Sequence, residues 1–114
     1  MCLLCREGHF FPEPHLERIR EFVHNISNTF PGCSIILIGS YSRGDYHDGS
    51  DVDLVVVGPF MERFVSRIGR ILDLVPPGLH MDVDVLAYTP EELEMMGKQG
   101  NTFIENVDRE GIRL

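Results

Sequence analysis

Between Leu16 and Phe30 the apolar positions fall at alternating intervals of three and four: Leu16, Ile19, Val23, Ile26 and Phe30, with Glu17, Arg18, Arg20 and Glu21 on the other faces. That spacing follows the turn of an α-helix and predicts an amphipathic one, which Pro31-Gly32 ends. The rhythm then changes. Cys33 to Ile38 is a continuous β-branched, apolar run and reads as a buried strand. Asp51 to Val57 begins with acids at alternate positions, continues as an apolar run, and reads as a second strand before Gly58-Pro59 breaks the chain. Met61, Phe64, Val65, Ile68, Ile71, Leu72 and Val75 return to helical spacing and stop at Pro76-Pro77-Gly78. From His80 to Ala87, Met81, Val83 and Val85 alternate with Asp82, Asp84 and Leu86, the period of a third strand.

Thr89-Pro90-Glu91-Glu92 is a helix start, with Thr89 as cap, Pro90 in the first turn and Glu92 closing a capping box. A short helix should run to about Met96, Gly97 and Gly100 should bracket a turn, and Asn101 should cap a last helix ending near Glu110-Gly111. Strands interleaved with helices predict an α/β (α+β) fold in which helices pack on a small central sheet. The whole of residues 1–114 reads as a single domain, with an irregular segment over residues 1–11 that ends at Pro12-Glu13-Pro14.

Charge narrows the partners. Eighteen acids against 10 bases give a net charge of −8, and Lys98 is the sole lysine. A chain that grips a polynucleotide backbone carries a basic surplus, so stable nucleic-acid binding is not expected. Apolar runs such as Ile35 to Ile38 fall far short of the ~20 residues a spanning helix needs, and the first residues lack the pattern of a secretory leader. The expectation is a cytoplasmic protein without a membrane partner. Three cysteines argue against a disulfide framework.

The chemistry concentrates between Gly39 and Asp53. Asp51 and Asp53 lie two apart in a strand, so both carboxylates leave one face with Cα atoms roughly 6.5–7 Å apart. Asp82 and Asp84 repeat the arrangement, and neighbouring strands would let one of this second pair meet the first. Carboxylates crowded together resist ionisation, and a cation cancels their repulsion. Oxygen ligands without imidazole or thiolate point to Mg²⁺, one ion or two about 3.5–4 Å apart. Gly39-Ser40, at the end of the first strand, lets a phosphate approach the backbone.

Gly39-Ser40, ten residues, then Asp51-Val52-Asp53 resembles the signature of the polymerase-beta-like nucleotidyltransferase superfamily. Arg43-Gly44 and Ser50 fit its minimal nucleotidyltransferases, and the tail from Asp84-Val85-Leu86 through Thr89-Pro90-Glu91-Glu92-Leu93 to Gly111-Ile112 is similar to theirs. The resemblance implies a mixed sheet backed by helices and transfer of a nucleoside monophosphate, with ATP the expected donor. Asp51 and Asp53 would hold the metal, Gly39 and Ser40 the β- and γ-phosphates, and Asp84 would be the third carboxylate, with Asp82 as rival. It also implies a helical partner of the HEPN type, toward which the chain would act as antitoxin, by modifying it or by contact alone. A nucleotide sensor that binds without transfer is a third reading. Homo-oligomerisation is compatible with so small a domain.

Other features carry less. A calcium loop of the EF-hand kind fails because His47 and Val55 occupy positions that should be acidic. Arg43 either meets the triphosphate or pairs with Asp45 or Asp48. Lys98 sits in a glycine-flanked loop and reads as solvated. Cys2 and Cys5 with His9 or His15 have weak zinc-like spacing, Cys33 reads as a small buried hydrophobe, and His24, His47 and His80 read as solvated. Tyr41 and Tyr46 are expected to pack under the loop, and Met95-Met96 to belong to the core.

Overall fold

A computed structural model describes residues 15–45, 51–79 and 81–114. The zinc-like spacing of Cys2, Cys5 and His9, the irregular 1–11 segment, and Tyr46, His47, Asp48, Ser50 and His80 lie outside the described residues. The order is α1 (His15–Thr29), β1 (Ser34–Ile38), α2 (Ser40–Arg43), β2 (Val52–Val57), α3 (Phe64–Leu72), β3 (Val83–Tyr88), α4 (Pro90–Lys98), α5 (Thr102–Glu110) and β4 (Ile112–Arg113). The strands form one mixed sheet in the order β3-β2-β1-β4. β1 is antiparallel to β2 and β4, and β2 is parallel to β3.

Alternation along the strands decides where the core lies. Ile35 and Leu37 of β1, Val52, Leu54 and Val56 of β2, and Val85 and Ala87 of β3 are buried with Ile19, Phe22 and Ile26 of α1 and Ile71 of α3. One face of the sheet is therefore sealed by two helices. Burying one leucine-sized side chain contributes about 1.5–3 kcal/mol, so this layer is ample to fix strand register. Residues of opposite parity, Asp53 and Asp84 among them, fall on the other face. Among the described residues no helix is long and apolar enough to cross a membrane.

Five elements differ from their sequence pattern, one of them β3, which spans Val83–Tyr88 and leaves Met81 and Asp82 ahead of the strand. α3 spans Phe64–Leu72 and not the whole apolar stretch, and Met61 and Val65 are 98% and 79% exposed while Arg67 is buried. At roughly 100° per residue Arg67 lies about 40° from the buried Ile71 and Val65 about 120° away, so the inward face turns toward the arginine. Arg67 is tolerated there because Nε and Nη1 find acceptors: Nε meets the Glu62 carbonyl at 2.8 Å, and Nη1 meets the Ala87 carbonyl at 3.3 Å and Glu92 Oε1 at 2.5 Å. The same Glu92 oxygen accepts the Thr89 amide at 2.7 Å within the capping box, so one carboxylate joins the start of α4 to α3. It is held below its ordinary pKa by the Arg67 hydrogen bond and then by the Thr89 amide.

α4 continues through Gly97, which makes Lys98 its last residue, paired with Glu94 at 3.3 Å, and not a loop residue. Met95 is 58% exposed and does not join the core. The turn after β1 is a short helix, and the chain closes with the two-residue β4 against β1.

Candidate active site

Three strand ends meet at one place. Ile38, the last residue of β1, lies opposite Asp53 of β2, and Asp53 lies in register with Asp84 of β3. Val52 and Leu54 go into the core, so Asp53 goes to the opposite face; Val85 does the same for Asp84. Asp51 precedes β2 and is exposed, two positions from Asp53. Asp82 is also exposed, ahead of β3, and its carbonyl accepts the Val52 amide at 2.9 Å.

Asp53 is the half-buried member of this group, and its carboxyl is raised from an ordinary 3.8 to about 6. Burial is the largest cause, followed by the charges of Asp84 and Asp51; the protonated Asp53 also donates to Asp84, and the Arg43 charge pulls the other way. Crowded oxygen donors of this kind suit a hard divalent cation, which would relieve the repulsion. Among the described residues no three carboxylate, imidazole or thiolate groups already close on one ion. The acids are neighbours, not a finished cage.

Gly39 sits against them. Its φ of 78° and ψ of −156° lie where essentially only glycine goes. A Cβ at Gly39 would run into the Asp53 carboxylate, so a side chain here is excluded both by backbone strain and by space. The chain then folds back at once: the amides of Ser42 and Arg43 both reach the Gly39 carbonyl at 3.1 Å, and the Ser42 hydroxyl donates to it at 2.8 Å. Ser40 opens this turn of helix, directly after the glycine. Tyr41 is buried beneath it.

Arg43, at the end of α2, is engaged in ion pairs. It pairs through Nε with Asp45 at 3.2 Å, as the sequence suggested, and through Nη1 with Glu110 at 3.3 Å, a partner 67 positions away that no local pattern reveals. Its charge also acts on Asp53. Gly39, Ser40, Arg43, Asp51, Asp53 and Asp84 thus share one end of the sheet. Cys33 stands apart at the start of β1, half-buried, its thiol pushed up by burial.

A family model described as a nucleotidyltransferase domain matches residues 16–94. The chain is 35% identical over 96 residues to the "Putative protein adenylyltransferase MJ0604" of Methanocaldococcus jannaschii, covering 82% of this chain and 90% of that protein. It is 30% identical over 76 residues to a bifunctional uridylyltransferase/uridylyl-removing enzyme of Vibrio cholerae, covering 65% of this chain but only 9% of that enzyme. Two solved structures share the fold. One, a toxin–antitoxin crystal structure with AMP-PNP, gives a TM-score of 0.61 at 21% identity, covering 82% of this chain and 69% of that one. The other, described as a putative nucleotidyltransferase from Sulfolobus solfataricus, gives 0.57 at 22% identity, covering 83% and 82%. The family match takes in the glycine turn and Asp51, Asp53, Asp82 and Asp84, and the chain belongs to the nucleotidyltransferase domain family.

Proposed function

We propose that this protein transfers AMP from ATP to a hydroxyl group of a protein acceptor, using magnesium. The observation that carries the reading is the in-register pair Asp53 and Asp84 beside a glycine at which any side chain would overlap the Asp53 carboxylate. The name of the archaeal relative, which is matched over most of both chains, supports adenylyl transfer and a protein acceptor. In this reading Asp51, Asp53 and Asp84 would hold one or two Mg²⁺ ions, and Asp82 is the weaker choice for the third ligand because the charges acting on Asp53 are those of Asp84, Asp51 and Arg43. When bound, the metal would offset the charge of the triphosphate.

The protein's own part is positioning and charge placement. Gly39 and Ser40 admit the β- and γ-phosphates, and Arg43 supplies positive charge at their edge. The acceptor oxygen attacks the α-phosphorus, the bond to the pyrophosphate oxygen breaks, and the hydroxyl proton passes to Asp84. The test is label transfer from α-phosphate-labelled ATP with Mg²⁺ into a lysate of the source cell, beside an Asp51→Asn/Asp53→Asn control. A labelled product made by the native protein alone supports the reading and identifies the acceptor; none, despite Mg·ATP binding, favours a sensor.

A second reading is neutralisation of a helical partner of the HEPN type by contact, as an antitoxin acting in the cytoplasm. It is favoured by the shared fold with a chain of a toxin–antitoxin structure. Co-purification of such a partner with the double-asparagine variant would support contact, and its dependence on the acids would support chemistry.

A further inference from the structure

The part of the chain that follows the matched family region reaches back to the site. α5 ends at Glu110, and the next residue is wedged: a Cβ on Gly111 would collide with the Val107 carbonyl and the Ile36 side chain. The Gly111 amide donates to that carbonyl at 2.9 Å. Ile112 and Arg113 then pair with Leu37 and Ile36 of β1, and the Leu114 amide reaches the Ile35 carbonyl at 2.8 Å. Glu110 is thereby fixed to the strand that leads into Gly39-Ser40.

From that corner its Oε2 lies 3.3 Å from Arg43 Nη1, while its Oε1 lies 3.7 Å from Arg109. Arg109, Glu110, Arg43 and Asp45 form a row of alternating charge, so Arg109 already balances part of the negative charge that Glu110 brings. Of the two acids that hold Arg43, Glu110 is the better shielded, its side chain 28% exposed against 61% for Asp45. Among the described residues these two bonds orient the guanidinium near Asp53, and a guanidinium carries five donors, so others can still meet an anion.

We propose that Glu110 is a positioning residue for the triphosphate: it holds the Arg43 guanidinium in the orientation that meets a phosphate oxygen. The inference rests on the phosphate role given to Arg43 under the proposed function. It has a distinctive sign. Glu110 as a mere negative charge would repel a triphosphate, so that its removal would tighten binding. As a brace its removal weakens binding, because the arginine must then be ordered by the ligand.

The experiment is calorimetric titration with Mg·ATP, and with inorganic triphosphate as a second probe, of the wild type, Glu110→Ala, Glu110→Asp, Glu110→Gln, Arg43→Ala and the Glu110→Ala/Arg43→Ala double variant. Glu110→Ala is expected to raise Kd about three- to fivefold, the range an exposed ion pair commands. Glu110→Asp keeps the charge but falls a methylene short, and should weaken binding even if the alanine variant fails to fold. Glu110→Gln keeps an acceptor for Arg43 and should restore most of the affinity. In the Arg43→Ala background the Glu110 substitution should cause no further loss, because only the repulsion of its charge is then removed. Unchanged or tighter binding by Glu110→Ala and Glu110→Asp, or a full additional loss in the double variant, overturns the proposal while the wild type still binds. Absence of binding by the wild type overturns both this proposal and the function it rests on.

Discussion

Replacing Asp53 by asparagine should make the metal-free protein more stable at neutral pH. A carboxyl held at about 6 in place of 3.8 favours folding while it is protonated and opposes folding once it is ionised. The folded state binds a proton that the unfolded state has released throughout that window, so this group's favourable contribution is complete below about pH 4 and is lost as pH rises through 6. The displacement corresponds to about 3 kcal/mol if taken whole. Asp53 is only half-buried, and solvent screening reduces this to ~1–2 kcal/mol. Urea denaturation of wild type and Asp53→Asn across pH 4 to 8, with a chelator present, reads the difference directly. The curves should coincide near pH 4 and separate by ~1–2 kcal/mol above pH 7, with the variant the more stable. Added Mg²⁺ should raise the wild type and leave the variant nearly unmoved. A variant less stable than the wild type at pH 7.5, or an equal gain at pH 4, would refute the claim that the ionised Asp53 carboxylate destabilises the metal-free protein.

The other expectations follow from single contacts. Gly39→Ala should cost ~2–3 kcal/mol in chemical denaturation, since it meets both the backbone penalty and the Asp53 carboxylate; a neutral substitution would mean that the turn can move away. Asp84→Asn should lower transfer by ~10²-fold or more while Asp82→Asn retains most of it, read from initial rates of label incorporation; the reverse order would exchange their roles. Glu92→Ala leaves the buried Arg67 with two backbone carbonyls and no carboxylate, and since Glu92 is itself 42% exposed this should cost ~1–3 kcal/mol by thermal melting, whereas Thr89→Ala, which removes only one capping bond, should cost ~1 kcal/mol. Because the Glu92 carboxyl is held below its ordinary 4.5, its contribution is present above that pH and lost as pH falls below it, the opposite sense to Asp53.

The elements that were legible in the sequence are those whose side chains answer to one period. α1 shows its helical spacing, although its most deeply buried ring, Phe22, lies outside the positions that spacing picks out while Val23 and Phe30 are only partly buried; β2 shows a clean switch from acid-bearing alternation to an apolar run, and α4 a cap whose partners lie three residues apart, and these can be recognised without knowing their neighbours. The sheet order could not be, because an apolar run such as Leu54-Val55-Val56-Val57 fits either a parallel or an antiparallel neighbour, and β4 has only two residues in which to show any pattern. α3 misled because seven apolar positions cover more than one face, and the choice between Val65 and Arg67 was made by Glu92 and the Ala87 carbonyl, which belong to other elements.

The candidate site divides along the same line. Gly39, Asp51 and Asp53 stand out because the pattern is local: a glycine at the end of a strand and two acids two positions apart at the start of the next. The choice between Asp82 and Asp84 depends on which of them lies level with Asp53, and that register is set by the burial of Val52, Leu54, Val85 and Ala87 on the far side of the sheet. A slip of one residue in β3 would carry Asp84 to the buried face and leave Asp53 beside an apolar neighbour. The core therefore acts on the acid cluster directly, by fixing which acid meets which. Glu110 is the extreme case. Its approach to Arg43 depends on the α5–β4 corner and on the pairing of β4 with β1, so nothing within many residues of either side chain could announce it.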